Sequence, residues 1–356
     1  MRDARAWVEV DLGALLRNAR ALASHARVPL VPMVKADAYG LGAVPVARAL
    51  EAVAPFGYGV SSILEGEELR SAGIARPILL FTPALPGAFA RLRAARITPT
   101  LGEASVIAAW AASGGGAWHL AVDTGMHRAG VNHDVIDAAL AAAAACGPEG
   151  AFTHLHSSEM DDGSMEVQEA RFRTVVARLA ERPRFLHVEN SGGIVRRSPS
   201  AWDLVRPGVF LYGVGSGPKA ARQPEPVASL RARILEVRTI ARGETVSYGA
   251  TWRAERVTKL ATVACGYADG LRRHLGNRAH ALVRGRPAPI AGVVTMDMAM
   301  LDITDSGGEV GDVATLLGRD GDALLTAEQV AAAGGLSPYE LLVGLKLRLP
   351  RFHMES

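Results

Sequence analysis

A chain of 356 residues exceeds what one ordinary hydrophobic core accommodates, so one large barrel plus a second unit is the expected arrangement. Hydrophobic residues make up 49% and charged residues 21%, which describes a folded protein with little room for disordered tails; with a net charge of only +3, arginines spread among 36 acids and aromatics at 5%, a nucleic-acid-binding surface is excluded. Cys146 and Cys265 show no pairing pattern, the first dozen residues lack a signal-peptide core, and no run reaches about 18 apolar residues, so a cytoplasmic protein without a membrane span is expected.

Residues 7–11 alternate like a strand, and an amphipathic helix follows from about Leu12 to Ala26. Short apolar runs then recur at 30–35, 57–61, 77–82, 97–101, 118–123, 151–155, 185–188 and 203–206, most of them separated by alanine- and leucine-rich stretches of helical length. Eight strands alternating with helices over about 200 residues predict an α/β fold, an N-terminal (β/α)8 TIM-type barrel. Gly114–Gly116 reads as a loop without the lysine and hydroxyl of a phosphate loop. From about Pro224 the chain turns β-rich, with runs at 228–240, 258–265, 280–284, 288–294, 299–303 and 310–317 and two short helices at 326–333 and 337–346. The expected division is a barrel over 1–222 and a C-terminal mostly-β domain over 223–356, joined through the proline-containing stretch 216–227, with strand 7–11 free to join the β domain.

The active site of such a barrel lies at the C-terminal ends of its strands. The first run ends at Lys35, where partial desolvation favours the free amine needed to form a Schiff base with an aldehyde cofactor, and Tyr39 follows within reach of the same ligand. The fifth run leads to Asp123 and Arg128, the sixth to Thr153-His154-Leu155-His156, the seventh to His187-Val188-Glu189-Asn190-Ser191-Gly192-Gly193 and the eighth to Arg206-Pro207-Gly208. Phosphate sites in this fold recur after strands seven and eight, where backbone N–H groups gather round an anion. An imine-forming lysine together with a phosphate cradle implies pyridoxal 5′-phosphate. Arg206 can only donate, so beside a pyridine nitrogen it leaves that nitrogen unprotonated; the weaker electron sink that results suits racemisation, with His154 expected as a neighbour that donates to Arg206 or buffers it. A metal-hydrolase reading of His154 and His156, with Glu159, Asp161 and Asp162 following, leaves the lysine and the cradle without a role.

Successive motifs carry a resemblance. Val34-Lys35-Ala36-Asp37-Ala38-Tyr39-Gly40-Leu41-Gly42 comes first, followed by residues 122–130, 152–155, 190–193, 206–213, 246–252, 266–270 and 295–298; Arg348-Leu349-Pro350-Arg351 ends the series. They resemble, in order, the motifs of the alanine racemase family. The resemblance implies a pyridoxal-phosphate-dependent racemase of alanine, or of another small amino acid such as serine, built as a homodimer that shares its active sites; a cofactor-binding barrel without racemase activity is the alternative. It further implies Lys35 and Tyr248 as the two opposed bases, Tyr248 coming from the partner subunit. On the cofactor side it implies Tyr39, His154, Asn190, Ser191, Arg206, Gly208, Val209 and Tyr212; on the substrate side, Arg128, the Met296 backbone, Tyr267 and Asp297. Ala121 departs from the family's carbamylated lysine, which leaves Arg128 to find another partner, such as chloride. Thr295, Met298 and Leu347 depart where cysteine, glutamine and, in some members, tyrosine stand, and this puts the substrate's identity in doubt more than the chemistry.

Overall fold

The computed structural model describes residues 3–217 and 220–355, so Pro218 and Lys219 of the expected interdomain stretch lie outside the described residues. Its first half is a ring of parallel strands, Tyr58–Val60, Ile78–Leu80, Ile97–Leu101, His119–Asp123, Gly150–Phe152, Phe185–Asn190 and Leu204–Arg206, paired in chain order. Most of their residues are buried, as expected for strands covered by helices on the outside and side chains within.

The expected first strand, 30–35, differs from the expectation. It makes only two isolated parallel bridges, Leu30 to Val205 and Met33 to Gly59. Pro29 and Pro32 contribute no N–H, so a continuous ladder cannot form there. The remaining amides still close the ring: Val31 N–H donates to Val205 O at 2.8 Å and Met33 N–H to Pro207 O at 2.9 Å, while Gly59 N–H reaches Pro32 O at 2.9 Å on the other side.

Around this ring the helices take their ends from local chemistry. Asp11 Oδ1 accepts the Ala14 N–H at 2.8 Å and so starts the helix Leu12–Ala26, which presents Leu12, Leu15, Ala19 and Leu22 to the core and stops where Arg27 turns left-handed. Ser62 and Glu65 form a reciprocal capping box on the helix Ile63–Ser71.

The second half is built on one long strand, Ala228–Ile240, whose first seven residues alternate between buried and half-buried. It pairs antiparallel with Ala6–Asp11, Thr258–Val263 and Val313–Asp320. Ala6–Asp11 in turn pairs in parallel with Arg351–Met354, so strands from opposite ends of the chain lie side by side in the C-terminal sheet. The hairpin strand expected at 288–294 runs instead over Arg286–Pro289, and the last helix is Pro338–Val343 rather than 337–346. Among the described residues no helix is long and apolar enough to cross a membrane.

Candidate active site

Lys35 opens a turn that the sequence did not announce. Ala36, Asp37, Ala38 and Tyr39 all have positive φ, between 52° and 57°, and form a left-handed helical turn with no glycine among the four. Such a conformation costs an L-residue roughly 1–2 kcal/mol, so it persists only where neighbours over-determine it. Here they do. Ala36 N–H donates to Glu65 Oε1 at 2.8 Å, Ala43 N–H to Asp37 Oδ1 at 2.7 Å and Gly42 N–H to Asp37 O at 2.9 Å. From the C-terminal domain Arg351 Nε donates to Gly40 O at 3.2 Å, and His353 Nε2 lies 2.7 Å from Leu41 O.

The turn delivers Lys35 and Tyr39 to the wall of a cavity of about 500 Å³ at the barrel mouth. The Lys35 amine has no hydrogen-bond partner among the described residues; burial lowers its pKa, Arg128 lowers it further and Glu65 opposes both. Burial instead pushes the Tyr39 phenol up to about 12, so it stays a hydrogen-bond donor. Its ring stacks on Tyr212 with centroids 4.7 Å apart. Tyr212 itself is turned away from the role expected of it: fully enclosed in the core, it donates its hydroxyl to Met33 O at 2.7 Å and is not part of the cavity wall.

One end of the cavity is a cradle suited to an anion. Asn190 caps the short helix Ser191–Arg196 by accepting the Gly193 N–H, and Ser191 Oγ accepts the Gly208 N–H at 2.9 Å. The amides of Gly192 and Val209, first-turn groups without an intrahelical acceptor, find none elsewhere among the described residues. A Cβ at Gly208 would stand 2.7 Å from the Tyr39 hydroxyl, and one at Gly192 2.4 Å from Ser158 Oγ, so both glycines keep the backbone open.

Arg206 is buried at 3% exposure, and its hydrogen bonds decide which way it faces. Nη1 donates to His187 Nδ1 at 2.9 Å and His187 O at 2.6 Å, and Nη2 to Thr153 O at 2.8 Å and Val188 O at 3.1 Å. Four of its five donors are thereby spent within the barrel, leaving Nε for a ligand. The expected neighbour was His154; the partner is His187. Because arginine only donates, His187 accepts through Nδ1 and carries its proton on Nε2, which lies 2.7 Å from His119 Nδ1. His119 then holds its own proton on Nε2, 4.0 Å from the carboxylate of Glu149. Burial and the Arg206 charge hold His187 far below the usual histidine range and His119 at about 3, so both rings stay neutral. Burial brings Arg206 down to about 9, which leaves it charged at neutral pH.

His154 faces the same cavity without a hydrogen-bond partner among the described residues, kept neutral at about 3 by burial and then by Arg206, Arg128 and Lys35. Arg128 is exposed beside Ala121 and has no ion pair among the described residues; Asp123, the nearest acid in sequence, is occupied by the Gly125 and His127 amides and the His127 ring. The wall is therefore rich in cationic groups, fit for a phosphate and a carboxylate. Among the described residues no group of three or more His, Cys, Asp or Glu could hold a metal ion.

Tyr248, Tyr267, Met296 and Asp297 are not brought to this cavity; they lie on the C-terminal domain. Tyr248 is 73% exposed in a turn where Ser247 and Ala250 both have positive φ, and Ser247 Oγ ties that turn to Val293 O at 2.7 Å. Tyr267 and Met296 share one knot: Tyr267 N–H donates to Thr295 O, Ala268 N–H to Met296 O, and Thr295 Oγ1 closes the 295–298 turn on Met298 O. Asp297 accepts from Arg348 at 2.7 Å, and Arg348 and Arg5 both clamp the fully buried Asp269. Sequence reasoning gave Glu65, His187 and His119 no role and did not foresee the Arg348–Asp269 clamp.

Comparison with known proteins agrees with this geometry over nearly the whole chain. Residues 10–216 match the alanine racemase N-terminal domain family and residues 227–353 the C-terminal domain family. A Sorangium cellulosum protein named alanine racemase is 39% identical, with 100% of each chain covered. The crystal structure of alanine racemase from Bartonella henselae with covalently bound pyridoxal phosphate superposes with a TM-score of 0.92 at 30% identity, covering 99% of this chain and 100% of that one. The alanine racemase from Bacillus anthracis with bound L-Ala-P gives 0.91 at 28% identity, covering 99% and 95%. With both family domains matched in order and relatives spanning its full length, the chain belongs to the alanine racemase family.

Proposed function

We propose that the protein interconverts L- and D-alanine with pyridoxal 5′-phosphate held by Lys35, acting as a cytoplasmic homodimer in which Tyr248 of the partner subunit faces Lys35 across the substrate. The observation that carries this is the Lys35 amine, without a hydrogen-bond partner among the described residues and depressed in pKa, in one cavity with an anion cradle and a single spare arginine donor. The unpaired Cys146 and Cys265 support a reducing compartment.

The residues fit the cofactor at both ends. The amides of Gly192 and Val209 and the Tyr39 hydroxyl would hold its phosphate beside Ser191, with Gly208 leaving room for want of a side chain, and Arg206 Nε would donate to its ring nitrogen. When bound, the cofactor supplies an electron sink that acidifies the Cα–H of an amino acid attached through its amino group. Lys35 moves a proton at that carbon from one face and the Tyr248 hydroxyl from the other, so removal by one base and return by the other invert the centre. Neutral His187 and His119 keep Arg206 a donor and never offer the ring nitrogen a proton. Arg128 and the Met296 amide take the substrate carboxylate, and Tyr267 and Asp297 border its entrance. Ala121 cannot carry a carbamate, so we assign the counter-charge of Arg128 to a bound anion such as chloride; intact-mass measurement should find no carbamate.

The experiment is direct. The purified protein should be yellow and bleached by borohydride with Lys35 labelled, and chiral analysis of incubations with alanine, serine and lysine should show alanine as the best substrate. Tyr248→Phe should keep the colour yet lose exchange of the proton on the L face. Loss of colour in that variant would argue against Tyr248 as a base.

A further inference from the structure

Glu65 does more than cap a helix. Its Oε2 accepts the N–H groups of Ser61 at 2.7 Å and Ser62 at 3.0 Å, which completes the capping box. A cap needs nothing beyond that. The second oxygen, Oε1, reaches a residue 29 positions away and accepts the Ala36 N–H at 2.8 Å. Ala36 is the first left-handed residue after Lys35, with φ of 52°. Glu65 makes no ion pair among the described residues, and each of its hydrogen bonds comes from a backbone amide.

We propose that Glu65 is a positioning residue for Lys35, its Oε1 pinning the Ala36 amide and with it the left-handed turn that directs the amine into the cavity. This rests on the reading of Lys35 as the cofactor-holding base. The charge of Glu65 has a second consequence. The cavity presents Arg128, His154, His156, Glu159 and Arg206 from the barrel, Asp123 already engaged by His127, Tyr39 from the turn itself and Tyr339 from the C-terminal helix. Burial and Arg128 disfavour the ammonium, and Glu65 favours it. Without that carboxylate the amine would hold its proton less well, whereas a base that must both take and return a proton needs intermediate affinity.

The test uses the full chain and two readouts. The protein has four lysines, so reductive ¹³C-methylation of the cofactor-stripped chain labels four side-chain amines and the α-amino group, with the Lys35 signal assigned as the one that Lys35→Arg removes. Glu65→Gln, which keeps an oxygen for Ala36 and removes the charge, should lower the Lys35 titration midpoint by about 0.5–1 pH unit. Glu65→Ala should weaken pyridoxal phosphate binding at least about tenfold, and adding Ala36→Gly, which adopts the left-handed conformation without strain, should restore most of the loss. Ser62→Ala, which removes only the other half of the cap, should lower thermal stability and leave the Lys35 midpoint and cofactor affinity unchanged. Glu65→Gln titrating like wild type, Ser62→Ala reproducing the Gln shift, or Ala36→Gly failing to rescue Glu65→Ala would each overturn the proposal. Should Glu65→Ala fold poorly, the double variant carries the affinity test. If borohydride leaves Lys35 of the wild type unlabelled, it is the cofactor reading that fails, and the Lys35 titration still judges Glu65.

Discussion

Glu189 sits one strand position from Asn190 with 0% exposure, its carboxylate enclosed in the barrel with the Ser200 hydroxyl beside it, which partly offsets the cost of burial. Burial pushes its pKa from 4.5 up to about 7, and the nearby Glu169 acts in the same direction. The sign of the effect follows. Between about pH 4.5 and 7 the folded chain keeps a proton that the unfolded chain has lost, so stability falls as pH rises through that window, by about 3 kcal/mol in all. Glu189→Gln should flatten that slope and be the more stable form at pH 8 by about 1–3 kcal/mol, read by denaturant unfolding at several pH values; an unchanged slope would remove Glu189 from the account. At this scale the sequence was partly legible. Lys35, Arg206 and the Ser191 and Gly208 cradle were visible because each combines a chemically distinctive residue with the end of an apolar run. Which histidine meets Arg206 was not visible. His154 and His187 both stand near strand ends, and the pairing of the His187 strand with the Arg206 strand carries a register shift that leaves no trace in composition.

At the scale of elements, the left-handed turn 36–39 was illegible for a related reason. Its residues include two alanines, the best intrinsic formers of right-handed helix, and no glycine to mark the reversal of hand. Tertiary contacts impose it. Its exit, Gly40, has φ of +86°, and a Cβ there would lie 2.6 Å from Leu342 O of the helix Pro338–Val343. Gly40→Ala should therefore cost on the order of 2–4 kcal/mol and weaken cofactor binding as well, measured by thermal melts with and without added pyridoxal phosphate. Wild-type melting and affinity would mean that the helix can move aside. The 30–35 segment was placed correctly in the ring but not as a regular strand, because Pro29 and Pro32 each remove a ladder donor.

For the whole molecule, the proposed dimer makes a quantitative prediction. A Lys35→Ala protomer and a Tyr248→Phe protomer are each expected to be inactive alone. Unfolded and refolded together, they would form hybrids in which one site of two has both bases, so about a quarter of wild-type activity should return if the partners assort at random. No recovery would show that both bases belong to one protomer. The rhythm of eight apolar runs, and its change to β-rich text after Pro224, was plain in the sequence because burial period is a local property. The separation of Tyr248 from Lys35 within one chain was expected only through the family resemblance, since it depends on where one surface lies relative to another and not on local pattern.

The hydrogen bonds from Arg351 and His353 to Gly40 and Leu41 join positions 311 and 312 residues apart. On a ribosome adding about 5–20 residues per second, the segment bearing Lys35 emerges roughly 15–60 seconds before the residues that grip it exist. Vitamin B6 capture is on this view a late event in biogenesis, one that waits for the strand Arg351–Met354 to be made. Shortening the chain by its last six residues should then yield a colourless protein whose barrel is nonetheless made.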